Sequence, residues 1–286
     1  MIRLKTKEDI AILREGGRRH AAIMKALVKM VRPGLTTVEL DEAVVRLIGE
    51  FDKDPKTGAN KGHSDGDKSA ILGYKPYGAR RPYPASICVS VNDEVVHGIP
   101  TENSRILEEG DIVSLDFALL HRGLVTDMAV TVPVGKIEPE LARLIETTER
   151  ALMAGIKAAK GGKRVGDIAV AVELVGRGTN VNDGLGYGIV EELVGHGVGY
   201  GVHEDPYVPN YIAGVRSSDG GKAHRKGDVL KPGLVIAIEP MFNLGSKDVT
   251  VDPDGYTIRT ADGSPSAHFE HTVLITKGNA EILTAL

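Results

Sequence analysis

Residues 111–134 read Asp111-Ile112-Val113-Ser114-Leu115-Asp116-Phe117-Ala118-Leu119-Leu120-His121-Arg122-Gly123-Leu124-Val125-Thr126-Asp127-Met128-Ala129-Val130-Thr131-Val132-Pro133-Val134. Two β-type runs flank a turn at His121-Arg122-Gly123, which predicts a hairpin. With His121-Arg122 at its tip, Asp116 stands directly opposite Asp127 on one face. A bulge at Gly123 would move that register by one residue. Two carboxylates among Leu115, Phe117, Ala118 and Met128 repel unless one is protonated or a cation sits between them. Taken alone, the pair fits two solvent-facing aspartates on an edge hairpin better.

Outward from this hairpin the period changes. Lys7 to about Val31 places Ile10, Leu13, Ala21, Met24, Leu27 and Val28 at helical spacing. Arg32-Pro33-Gly34 stops that helix, and Thr36-Thr37-Val38-Glu39 caps a second, running to about Phe51. Asp52 to Asp67 is polar and reads as a long loop, and Ser86 to Val91 as a strand. Pro139–Lys160 and Val165–Gly178 repeat the helix, break, short helix order. Gly34, Glu39, Leu40, Ala43 and Val44 match Gly162, Asp167, Ile168, Ala171 and Val172 at a constant offset. Beyond Asn180 β-type runs take over: Val235–Ile238, Tyr256–Ile258, His268–Thr276 and Ala280–Leu283. The pattern predicts an α+β chain with a site between two similar halves, although amphipathic helices resemble one another in any case.

Composition excludes several classes. The 286 residues carry a net charge of −4, with 26% charged and 42% hydrophobic side chains, so a disordered chain is ruled out. Slight acidity gives no electrostatic footprint for DNA or an anionic membrane. No apolar run reaches the roughly 18–20 residues of a membrane span. Met1 to Lys5 leads into charged sequence without the apolar core of a signal peptide. A lone cysteine, Cys88, fits a reducing compartment. The expectation is a cytoplasmic protein. Glycine, at 35 residues, implies tight turns or closely approached backbone.

Chemistry-bearing residues recur in strand or glycine-rich contexts. Gly195-His196-Gly197-Val198-Gly199-Tyr200-Gly201-Val202-His203-Glu204-Asp205-Pro206 sets two histidines among glycines, which suggests room for a ligand or an unusual turn. Glu239 closes the buried-type run Val235–Ile238, and Glu270 lies inside Ser266–Ile275. Each could also face solvent at an alternate strand position. His97 follows a strand in Val95-Val96-His97-Gly98-Ile99-Pro100. Two Asp, two Glu and one or two His suit divalent Mn, Fe or Co. Four carboxylates would fully serve two ions about 3.5–4 Å apart, which points to metal-assisted hydrolysis.

These residues stand in segments whose order resembles type I methionine aminopeptidase over nearly the whole chain. The segments are Asn92–Pro100, the Asp116/Asp127 pair, Gly195–Gly199, His203–Pro206, Ile238–Met241 and Ser266–Thr272. The resemblance implies the pita-bread fold, with one catalytic domain over 1–286 and pseudo-symmetric halves of about 1–135 and 136–286. It implies two divalent ions, of the Co, Mn, Fe or Zn kind, held by Asp116, Asp127, His196, Glu239 and Glu270, with Asp127 and Glu270 bridging. A water or hydroxide between them would attack the carbonyl after the initiator methionine. Glu239 would accept the proton, while His97 and His203 would hydrogen-bond the scissile amide. The implied methionine pocket is Tyr74, Tyr83, Cys88, Val202 and Tyr256. Two departures bear on its shape: residues 75–82 are inserted between the tyrosines, and Ile71 and Val202 replace an expected cysteine and aromatic. A second insertion lies within 209–225. The substrates implied are nascent polypeptide N-termini, met by a bacterial-type monomer, with a transient ribosome contact at Arg80-Arg81 or Lys222–Lys226. A proline-directed peptidase of the same fold, or a non-catalytic homologue, are the alternatives.

Overall fold

The computed structural model describes residues 2–51, 53, 66–178, 186–212 and 227–285. The first half supplies helices α1 (Lys7–Val28) and α2 (Thr37–Phe51). Its strands are β1 (Lys68–Ser69), β2 (Cys88–Val91), β3 (Glu94–Val96), β4 (Ile112–His121) and β5 (Leu124–Pro133). The second half opens with α3 (Pro139–Ala158) and α4 (Val165–Gly176). Strands β6 (Gly188–Ile189), β7 (Gly195–Gly197), β8 (Glu204–Val208), β9 (Val235–Ile238) and β10 (Met241–Asn243) follow. The chain closes with β11 (Val249–Val251), β12 (Ile258–Thr260), β13 (Ser266–His268), β14 (Glu270–Leu274) and β15 (Glu281–Ile282).

The matched helix starts use the same device. Thr36 N–H donates to Glu39 Oε2 (2.7 Å), and Arg164 N–H donates to Asp167 Oδ2 (2.9 Å). Each acid thereby satisfies an orphan donor at a helix N-terminus. The sheet that carries the site runs β1-β4-β5-β14-β9-β7-β8 among the described residues. The β5–β14 pair joins strands from the two halves. Along β4 the period of two sends Leu115, Phe117 and Leu119 into a core with Leu27, Leu40 and Val44 of α1 and α2. Leu152, Ile156 and Val172 of α3 and α4 pack likewise with Ile236 and Val273. Each such fully buried side chain contributes about 1.5–3 kcal/mol.

The hairpin register differs from the expectation. Asp116 pairs with Ala129, and Asp127 with Ala118. The turn is Arg122-Gly123, with φ of 48° and 82°, so His121 stays in the ladder opposite Leu124. Left-handed backbone at both central positions matches the right-handed twist of the strands. The slip is two residues, and a slip of two preserves the face. The expected loop at residues 52–67 lies outside the described residues except for 53, 66 and 67.

Candidate metal centre

Two adjacent rows across the sheet build the site. Ala129 stands opposite Asp116 on one side and opposite Glu270 on the other. One step along, Asp127 N–H donates to Thr272 Oγ1 (2.7 Å), and that hydroxyl donates back to Asp127 O (2.8 Å). Residues directly paired in antiparallel strands share a face, so Asp116, Asp127 and Glu270 project together. Ala118 and Ala129 leave the space between them open. Thr272 pairs in turn with Ala237, and Glu239 follows just past the end of β9.

His196 comes from β7, on the other side of β9. Its Nδ1 lies 3.0 Å from Gly197 O. A carbonyl only accepts, so Nδ1 carries a proton and Nε2 faces the carboxylates, 3.2 Å from Glu239 Oε1. One donor atom each from Asp127, His196 and Glu270 lies within 4.8 Å of the other two. The glycines flanking His196 serve packing rather than ligand space. A Cβ on Gly195 would come 2.4 Å from Ala237 O, and one on Gly197 would come 2.1 Å from Asp205 O.

Electrostatics reinforce the geometry. Desolvation, then the charges of Asp127 and Glu239, push the Asp116 and Glu270 carboxyls well above the usual range. Desolvation also lifts Asp127 to about 6, against the pull of His196. Glu239 is the exception. Desolvation would raise it, but His196 and His268 beside it hold it down to about 2. Its partner His196 rises to about 8 despite burial. Glu270 Oε1 is buried without a hydrogen-bond partner among the described residues. An acid cluster with an unsatisfied oxygen and a single neutral-capable imidazole fits a divalent cation, which would reverse each upward shift.

The expected histidines border the same chamber. Burial lowers His97 to about 4, and Glu239, His268 and His196 lie close enough to act on its charge. The His203 ring stands perpendicular to that of His196, with centroids 4.4 Å apart. Its Nδ1 meets Tyr74 Oη at 3.0 Å, and desolvation together with His196 lowers it to about 4. Cys88 pairs directly with Asp116 across β2 and β4, so it lies on the same face beside the chamber. Tyr83, Cys88, Ala85 and Ile99 form an apolar cluster flanked by Ile71 and Tyr256. Tyr83 and Tyr256 meet edge to face at 5.2 Å. Val202 packs elsewhere, with Leu13, Val125 and Val198, although Ile71 and Tyr74 touch that cluster too.

Two contributors have no assigned role in the sequence reading. His268 Nε2 lies 3.7 Å from Glu239 Oε2, and Thr272 ties β14 to Asp127. A signal for Thr272 existed, since it shares a strand face with Glu270 at a spacing of two. Residues 213–226, which hold most of the second insertion and the Lys222–Lys226 segment, lie outside the described residues.

A model of metallopeptidase family M24 matches residues 11–277, and the chain belongs to that family. Within it, the methionine aminopeptidase of Aquifex aeolicus is 41% identical over 285 residues, covering 100% of this chain and 99% of that protein. The crystal structure of methionine aminopeptidase from Thermotoga maritima superposes with a TM-score of 0.82 at 36% identity, over 100% of both chains. Prolidase from Pyrococcus furiosus shares the fold, with a TM-score of 0.67 at 21% identity, over 99% of this chain and 65% of that one. The architecture is the α+β pita-bread fold.

Proposed function

We propose that this chain is a methionine aminopeptidase that removes the initiator methionine from nascent polypeptide N-termini in the cytoplasm. The observation that carries the reading is the convergence of Asp127, His196 and Glu270 on one point, with Asp116 and Glu239 in the same chamber. These five residues would hold two divalent ions of the Co, Mn, Fe or Zn kind, with Asp127 and Glu270 as the ligands available to both. When bound, such ions polarise the substrate carbonyl and acidify a water. The chain works as one catalytic domain with its two halves meeting at the β5–β14 pair, as a monomer.

The protein's own groups then have separable tasks. Glu239 is held ionised, so its carboxylate can take a proton at Oε2, the oxygen turned away from His196. His203 Nδ1 meets Tyr74 Oη; with the phenol donating in that contact, His203 Nε2–H is left as a donor to the scissile amide. The low pKa values of His97 and His203 keep both neutral, so they donate to a developing oxyanion without titrating near neutral pH. Tyr83, Cys88 and Tyr256 receive the thioether side chain in the apolar pocket beside Asp116. Burial pushes the Cys88 thiol well up, so it serves as wall and not as nucleophile. The Arg80-Arg81 segment, with Arg80 exposed and Arg81 paired to Glu102, is the place for a transient ribosome contact.

The test is cleavage of Met-Ala-Ser against X-Pro peptides by purified, metal-loaded protein. Release of methionine from the first alone is expected. Cleavage of X-Pro peptides only, or of neither, would sink the reading. Prolidase shares the fold at 21% identity and so does not favour the proline-directed alternative, whereas the methionine aminopeptidase of Aquifex aeolicus is 41% identical over 99% of its length.

A further inference from the structure

Lys5 lies outside the site described above, yet its side chain is fully buried and ends in the charge pair Lys5 Nζ–Glu204 Oε2 at 2.7 Å. A buried ammonium is costly, and burial indeed lowers its pKa. The other oxygen of Glu204 accepts from the backbone N–H groups of Tyr200 (2.5 Å) and Gly201 (3.0 Å). Glu204 therefore bridges the N-terminal segment and the loop 199–204, whose last two members before it are Val202 and His203. Further contacts tie the same segment to the same loop. The Arg3 guanidinium lies 3.9 Å from the Tyr200 ring centroid, and Tyr200 Oη donates to Asp9 Oδ2 (2.5 Å). Lys5 N–H donates to Gly233 O (2.8 Å), which fixes where the side chain starts. Its stem crosses Gly199 so closely that a Cβ there would lie 2.4 Å from Lys5 Cε. From the far side, Val125 N–H donates to Gly199 O (2.7 Å), two residues from Asp127.

We infer that Lys5 is a positioning residue: through Glu204 it holds the loop 199–204 so that the His203 imidazole keeps its place beside His196. The inference rests on the role proposed for His203. Lys5 touches neither substrate nor metal ligands. Removing its charge frees Glu204 to swing toward solvent and releases the Tyr200 and Gly201 amides, and His203 moves with them. A small misplacement of a group that acts on the transition state is felt in kcat, by about ten- to a hundredfold.

The experiment compares Lys5→Met, Lys5→Arg and His203→Ala, and combines Lys5→Met with His203→Ala, all as metal-loaded full-length protein on Met-Ala-Ser. Lys5→Met is expected to lower kcat about tenfold or more with KM within about twofold. Lys5→Arg, which keeps the charge, is expected to restore most of that loss. In the His203→Ala background Lys5→Met should add less than about twofold, because the group it positions is gone. Equal losses in both backgrounds, or full kcat in folded Lys5→Met, overturn the inference. The His203 imidazole NMR resonances give a readout independent of the chemistry. They should shift in Lys5→Met and return in Lys5→Arg, and unmoved resonances overturn the inference whatever the kinetics. Full kcat in His203→Ala alone would instead overturn the role assigned to His203. Should Lys5→Met fail to fold, Glu204→Gln makes the same test, keeping the volume and the backbone acceptor while removing the charge pair.

Discussion

The carboxylate chamber and the apolar pocket beside it share a wall, the β2–β4 pair, but they are held in different ways. In the chamber Asp116, Asp127 and Glu270 are strand residues placed by ladders on both sides. The pocket rim is loop. Residues 75–82 are pinched at their neck by Tyr83 N–H donating to Tyr74 O (2.8 Å) and Gly73 N–H to Tyr83 O (2.9 Å). Its far side rests on Arg81, whose guanidinium donates to Glu102 Oε2 (2.6 Å) and Asp254 O (3.3 Å) and whose carbonyl accepts from Tyr256 Oη (2.5 Å). Register therefore fixes the chemistry, while a few solvent-exposed bonds fix the pocket's edge. Ladders are cooperative and buried, whereas exposed ion pairs are worth little.

The sharpest way to break the comparison is at the chamber. Glu270→Gln should abolish methionine release, by about a thousandfold or more, because the carboxylate proposed to serve both ions loses its charge. The same change should leave the Tm of metal-free protein unchanged or raised, since it removes a buried carboxyl that lacks a partner. A large drop in Tm would mean that Glu270 serves the fold.

Acidity gives an intermediate effect with a definite sign. Asp127 titrates near 6 when folded, against an ordinary value of 3.8, and Asp116 and Glu270 lie higher still. These three carboxyls then bind more protons folded than unfolded across that window, whereas the buried His20, His97, His203 and His271, lowered to about 3 or 4, bind fewer. The cluster's own contribution to stability should therefore fall as pH rises from about 4 through about 6 and beyond, read as the stability of wild type minus that of Glu270→Gln at each pH. Metal binding displaces those protons, so affinity should rise over the same window. Urea melts of metal-free protein and calorimetric proton release on metal addition check both signs. A stability difference between wild type and Glu270→Gln that rises with pH in the metal-free protein would contradict the cluster's upward shifts.

The smallest effect belongs to the rim. Arg81→Ala removes the guanidinium that pairs with Glu102 and loosens the segment whose carbonyl holds Tyr256. KM for Met-Ala-Ser should rise about two- to fivefold with kcat nearly unchanged, and Tm should barely move. A kcat loss as large as that of Glu270→Gln would erase the distinction between rim and chamber.

The contrast also explains what could be read early. Asp116, Asp127, His196, Glu239 and Glu270 were legible as a set, because the type and order of their segments survive any small error of register, while each alone also fitted an ordinary strand or turn position. The hairpin itself was legible, but its tip was misplaced by one residue at each end. The turn chemistry of Arg122-Gly123 decided the pairing, and arginine gives no strong local sign of left-handed backbone. The glycines around His196 announced close approach without saying of what, and the answer is the backbone of neighbouring segments. His268, Thr272 and Lys5 carried little local signal. Their partners Glu239, Asp127 and Glu204 are distant in sequence or engaged through the backbone.

Local sequence carries the helix and strand periods, the matched helix starts of the two halves and the acidic and imidazole side chains that meet in the chamber. All of these follow from local periodicity and from the cost of burying charge. Only the tertiary structure decided that Ala129 separates Asp116 from Glu270 and that Val202 packs away from the pocket cluster. Likewise it brings a lysine near the N-terminus onto the loop of His203. Those arrangements arise from pairing between distant strands and segments, whose register no local stretch of the chain encodes.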